Sequence, residues 1–178
     1  SDVYKRQGCS DRTAEFARSF GDRVLVHDLS QPSKVAALNH AEHQLEAFPR
    51  IYLDADILLS GTDAEILFEH LRRPGVLTVE PARRYVTEQC SRLVRAFYKV
   101  WGSLHLQEAG RIGCGAYCLN EAGRARFGTF PDIIADDGYV RAHFRPEEFV
   151  QVEETEVGIF PPRTMRGLIP AKARVRLG

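Results

Sequence analysis

Cysteine is scarce in this sequence. The four thiols, Cys9, Cys90, Cys114 and Cys118, show none of the two-residue-spaced pairs of a zinc site. They are also too few in 178 residues to be a disulfide scaffold. A reducing, cytoplasmic setting is expected. Charge of one sign is lacking too: 24 Lys and Arg offset 24 Asp and Glu. No global basic field therefore gathers nucleic acid, and an anionic ligand has to be held locally. No apolar run approaches the roughly 20 residues needed to cross a bilayer. Neither an internal repeat nor a low-complexity linker divides the chain. What is present, 44% hydrophobic and 27% charged residues, suits one globular domain with a sizeable core.

The first seven residues, SDVYKRQ, match one reading frame of a transposon-end adaptor used in sequencing libraries. They are expected to be an artefact and are set aside from the fold. Beyond them, apolar periodicity predicts a helix over 13–20 capped by Ser10 or Asp11, a strand over 23–27 and a helix over 34–47. A strand over 50–54, a helix over 64–71 and a strand over 75–79 follow. A long amphipathic helix is expected over 85–106, then a strand at 116–119, helices over 121–127 and 137–144, and a strand at 149–152. Pro161-Pro162 breaks the chain before a basic tail over 161–178. Strands alternating with helices predict an α/β sheet covered on both faces.

Ligands of open α/β sheets sit beyond the carboxyl ends of the strands. The segment IYLDADI, 51–57, runs from an apolar strand straight into Asp54 and Asp56. Two neighbouring carboxylates repel unless a cation compensates them. Mg²⁺ or Mn²⁺, with diphosphate oxygens and waters completing the shell, matches that hard-oxygen chemistry.

Four segments, in order, resemble the family 2 glycosyltransferases of the GT-A fold. GCSDRTAEFA, 8–17, is similar to the end of the family's Asp-Gly-Ser-x-Asp-x-Thr turn and its helix. SKVAALNHA, 33–41, resembles the Lys-x-x-Ala-Leu-Asn helix, and IYLDADI the Asp-X-Asp strand. GCGAYCLNEAGRARFGTFPDIIADDGYV, 113–140, resembles the acceptor-side segment that ends in an acidic pair. The resemblance implies a partial GT-A, Rossmann-like domain over 8–160, with a mixed, mainly parallel sheet lacking its first strands. About 40 residues would be missing ahead of Gly8, judged from typical element lengths.

The resemblance also implies roles. Lys34, Asp54 and Asp56 would bind a nucleotide-sugar donor, Asp56 through a divalent metal. Gly113 and Asp136 would lie on the acceptor side, and Asp137 would be the catalytic base. The acceptor would be a hydroxyl, lipid-linked or on a saccharide, and transfer would invert the anomeric carbon because no enzyme nucleophile is needed. A non-catalytic nucleotide- or metal-binding module and a nucleotidyltransferase are the alternatives.

Blander readings stand beside these. Lys34 is equally a solvated helix residue, Asp136 an N-cap, and Gly113-Cys114-Gly115 a turn. Cys114 and Cys118 read as buried apolar side chains, and the scattered histidines as surface or satisfied residues. The family's Gln-x-x-Arg-Trp segment has only RTMRG, 163–167, in its place. The basic tail interleaves Arg163, Arg166, Lys172, Arg174 and Arg176 with apolar residues. It is either a solvated helix or a peripheral contact with an anionic membrane on the cytoplasmic face.

Overall fold

A computed structural model describes residues 2–7, 12–29, 33–105, 114–133 and 136–177. The chain divides into two compact units, one of Ser1–Ala47 with Gly128–Ile133, the other of Phe48–Phe127 with Ile134–Gly178.

In the first unit, β1 (Asp2–Gln7) pairs in parallel with β2 (Val24–Leu29), Asp2 facing Val24 and Gln7 facing Leu29. The adaptor-like peptide, set aside in the sequence reading, is thus a strand: an extended stretch satisfies the backbone groups along one edge of β2. Helix α1 (Thr13–Arg18) buries Ala14 and Ala17. The cap expected from Ser10 or Asp11 lies outside the described residues. Helix α2 (Lys34–Glu42) starts at Ser33, whose hydroxyl accepts from the Ala36 N–H at 3.1 Å. It stops at Glu42, short of residue 47. Residues 128–133 join this unit through Asn39. Its side-chain NH₂ donates to the Phe130 carbonyl at 2.9 Å, and its oxygen accepts from the Phe130 N–H at 2.8 Å.

The second unit holds β3 (Arg50–Leu53), β4 (Ile57–Leu58), α3 (Gly61–Leu71), β5 (Thr78–Tyr85), α4 (Arg92–His105), β6 (Ala116–Leu119), α5 (Glu121–Arg124), α6 (Asp136–Arg141), β7 (Phe149–Ile159) and α7 (Met165–Leu177). Its sheet is mixed, in the order β3-β6-β5-β7-β4. The β5–β7 pairing is parallel, while β3–β6, β5–β6 and β4–β7 are antiparallel. Leu67 and Leu71 of α3 pack on Val79, Cys118 and Val152 of the sheet. Burying one such leucine stabilises the fold by about 1.5–3 kcal/mol.

Two strands run further than the sequence suggested. The strand expected over 75–79 is followed by Pro81, which cannot donate to a ladder. The strand instead continues to Tyr85, because a bulge falls between Pro81 and Ala82. Pro81 faces Val152 while Ala82 faces Glu156. The residues of β7 left over, Glu153 to Thr155, are held at the bulge. Thr155 donates to the Val152 carbonyl at 2.9 Å, and the His70 Nε2 of α3 meets the Glu154 carboxylate at 2.7 Å.

The helix expected over 85–106 therefore begins only at Arg92. Tyr85 faces Ile159 in the sheet, and the Val86 N–H donates to the Ile159 carbonyl at 2.9 Å. The basic tail is helical. Leu168 of α7 is buried with Val94 and Tyr98 of α4, and the Lys172 ammonium lies 4.6 Å from the Trp101 ring centroid. Among the described residues, no helix is long and apolar enough to cross a membrane.

Candidate active site

The site grows from the turn after β3. The Asp54 N–H donates to the Gly115 carbonyl at 2.8 Å, and the Ile57 N–H closes back on the Asp54 carbonyl at 3.2 Å. This four-residue turn leaves Asp54 half-buried and Asp56 exposed. Gly115 is needed for it. Its φ is +75°, and a Cβ there would lie 2.8 Å from Ile57 Cγ1 and 3.1 Å from an Asp54 carboxylate oxygen.

Gly115 leads into β6, whose four residues are all buried. Tyr117 sits opposite Tyr52 of β3, and the rings stack at 4.8 Å with planes 12° apart. Tyr117 is only 3% exposed, and its hydroxyl has no hydrogen-bond partner among the described residues. Burial is the main cause that pushes this phenol's pKa far up. Asp136 adds to it, followed by Tyr52, Asp137 and Asp54. Three carboxylates from two distant stretches of sequence thus lie close enough to act on one buried hydroxyl.

Two of those acids open α6, where the exposed backbone N–H groups favour negative charge. Asp136 is 3% exposed and Asp137 half-buried, one of its oxygens accepting from the Gly138 N–H at 2.8 Å. A fourth acid, Glu80, is missing from the sequence reading. It is fully buried in β5, takes a hydrogen bond from Arg83 at 3.2 Å and lies 3.8 Å from the Cys114 sulfur. A glutamate inside an otherwise buried strand, with an arginine three residues on, was the available signal. Glu80 thus contacts Cys114, the residue that precedes Gly115. The Cys114 thiol donates to the Ala116 carbonyl at 2.9 Å, and its pKa is pushed up to about 12, first by burial and then by Glu80. A thiol that stays protonated is no nucleophile, in line with the reading of Cys114 as an inert buried side chain.

Two other residues were expected at the site. Lys34 is exposed at the start of α2 in the first unit, and Gly113 lies outside the described residues. Among the described residues, no group of three or more His, Cys, Asp or Glu forms a ready metal cage. Asp54 and Asp56 supply carboxylates from one turn. That donor set matches an ion such as Mg²⁺, which keeps several waters and takes substrate phosphates as its remaining ligands.

The sequence matches no protein-family model and no curated protein. Solved structures do match. The mannosyltransferase PcManGT from Pyrobaculum calidifontis, in complex with GDP-Man and Mn²⁺, is 18% identical with a TM-score of 0.70, over 97% of this chain and 50% of that one. Glucosyl-3-phosphoglycerate synthase from Mycobacterium tuberculosis, in complex with Mn²⁺, UDP and glucosyl-3-phosphoglycerate, is 16% identical with a TM-score of 0.64, over 98% and 64%. A further structure of that synthase is 20% identical with a TM-score of 0.61, over 98% and 65%. This chain therefore spans between 50% and 65% of the length of these glycosyltransferases, and over that span it shares their GT-A-like, mixed α/β fold.

Proposed function

We propose that this chain is a nucleotide-sugar glycosyltransferase of the family 2 type, metal-dependent and inverting, acting on an acceptor hydroxyl. The observation that carries the proposal is the strand-end turn of Asp54 and Asp56, tied to the Gly115 carbonyl at the entrance to β6, with Asp54, Asp136 and Asp137 all acting electrostatically on the buried Tyr117 of that strand. That influence links Asp54 to the acidic pair more than 80 residues later. The neighbouring structures hold GDP-Man with Mn²⁺ in one case and UDP with Mn²⁺ in another, which supports the same reading.

In this reading Asp137 is the base. Its carboxylate takes the proton of the acceptor hydroxyl as that oxygen bonds to the anomeric carbon, and the sugar–phosphate bond breaks with its electron pair leaving on the diphosphate. One displacement inverts the centre. Asp136, buried beside it, fixes the acceptor side, and Asp54 holds the donor. Asp56, exposed on the turn, would hold Mg²⁺ or Mn²⁺, which when bound neutralises charge on the diphosphate. Lys34 is proposed as a donor contact, and Gly113 as an acceptor-side residue, on the sequence pattern alone.

The test is Asp137→Asn, which keeps shape but accepts no proton. Nucleotide-sugar binding by calorimetry should persist while transfer falls about 10²–10⁴-fold, the usual range for a lost general base. Transfer at the parent rate would remove Asp137 from the mechanism. Hydrolysis or nucleotidyl transfer in place of glycosyl transfer would overturn the reaction class.

A further inference from the structure

A buried hydroxyl without a partner is costly. Leaving such a group unsatisfied destabilises the fold, and phenylalanine would fill the same space at no such cost. Tyr117 is held where it cannot turn away. It is 3% exposed, stacked on Tyr52, and carried by a strand hydrogen-bonded on one side to β3 and on the other to β5. Its hydroxyl has no partner among the described residues, and Asp136, Asp137 and Asp54 act on it electrostatically.

The chemistry of that group is one-sided. Carboxylate oxygens accept hydrogen bonds, so these side chains offer acceptors. The phenol is the neutral donor among them, and burial keeps it protonated. An incoming hydroxyl group is complementary to such a set, because it donates its own hydrogen to a carboxylate while its oxygen accepts one from the phenol. A phosphate oxygen or a carboxylate ligand would instead meet the repulsion of three acids.

Resting on the glycosyltransferase reading, we propose that the Tyr117 hydroxyl is a substrate-binding group that donates a hydrogen bond to a hydroxyl oxygen of a bound sugar. That hydroxyl belongs either to the transferred sugar or to a saccharide acceptor. The two sources differ in which binding step the phenol serves. Tyr117 is a positioning and specificity residue in either case, and the proton still goes to Asp137.

The experiment is Tyr117→Phe in the full chain, with three readouts. Thermal unfolding of the ligand-free variant should match the parent or rise by a few degrees, since an unsatisfied group has been removed. Calorimetry with Mn²⁺ should compare GDP with GDP-mannose and UDP with UDP-glucose. Transfer to methyl glucoside and methyl mannoside should be followed for KM and kcat. If the phenol holds the donor sugar, the affinity gained on adding the sugar to the diphosphate falls about three- to tenfold, with GDP and UDP binding unchanged. If it holds the acceptor, KM for the methyl glycoside rises by a similar factor and the donor affinities stay level. Either result supports the proposal. A variant that unfolds at lower temperature or fails to fold would show that the hydroxyl is structural, overturning it. So would a variant equal to the parent in sugar affinity and KM, with the glycosyltransferase reading left intact. A parent chain with no Mn²⁺-dependent binding of either nucleotide-sugar would overturn both.

Discussion

Gly115→Ala tests how the Asp54 turn is built. Two costs add at this position. A left-handed φ of +75° costs a residue with a Cβ about 1–2 kcal/mol. The new methyl would also press on Ile57 Cγ1 at 2.8 Å and on the Asp54 carboxylate at 3.1 Å, and overpacking of this kind costs about 1–3 kcal/mol. The expected destabilisation is therefore about 2–5 kcal/mol, or about 4–20 °C in Tm for a chain of this size. Gly75 provides the control. Its φ is +83°, but a Cβ there meets nothing within 4 Å. Gly75→Ala should show the backbone cost alone, about 1–2 kcal/mol. The assay is thermal and urea unfolding of both variants beside the parent, followed by Mn²⁺-dependent nucleotide binding. Gly115→Ala should lose more stability than Gly75→Ala and should also lose nucleotide affinity, because Asp54 is displaced. Equal stability losses in the two variants, or unchanged affinity in Gly115→Ala, would refute the reasoning that Gly115 sets the position of the Asp54 carboxylate.

Further outcomes follow from the same geometry. Asp56→Ala should abolish metal-dependent nucleotide binding in calorimetry while leaving the melting curve near the parent's, since Asp56 is exposed; undiminished affinity would remove it as the metal ligand. Glu80→Ala should destabilise by about 1–3 kcal/mol, because it removes a fully buried carboxylate and its hydrogen bond from Arg83, and urea unfolding checks it. Cys114 holds its proton up to about 12 in the fold but only to about 9 when unfolded. The unfolded chain therefore binds fewer protons between these values, and stability, complete below pH 9, should fall as pH rises towards 12. Tm measured from pH 7 to 11, with Cys114→Ala showing the shallower fall, checks the sign.

The local parts of this fold were legible. The four apolar residues of β6, AYCL, lie where periodicity and flanking turn residues placed a strand, and β3 differs from expectation only at Asp54. Hydrophobic runs bounded by turn residues report burial directly. What failed were the places where a tertiary feature overrules a local rule. The strand expected to end at Val79 runs on through Pro81, beside which the register shifts. The run QVEETEVGI of β7 reads as a strand that stops at Val152, because the glutamates at 153 and 154 break the alternation. The bulge absorbs them and restores the pairing at Glu156. The apolar spacing through Val86 and Leu93 mimicked helix across a segment that begins as strand.

The site divides along the same line. Asp54 and Asp56 announce themselves, since two carboxylates after an apolar strand are a local signal. Tyr117 does not, because a tyrosine between alanine and cysteine in a buried strand looks like core, and by its ring it is core. Only its hydroxyl is out of place, and that follows from non-local facts: the register that sets Tyr52 opposite it, and the start of α6 that brings Asp136 and Asp137 near. The same facts make the arrangement rigid. The phenol is on a strand paired on both sides, and the Asp54 turn is tied to that strand's approach through Gly115. A site whose polar groups sit on paired strands and a helix end has little reorganisation left to undergo when substrate arrives. The unsatisfied hydroxyl lowers the stability of the free protein, and in the proposed reading a sugar hydroxyl that accepts from the phenol would supply the missing partner.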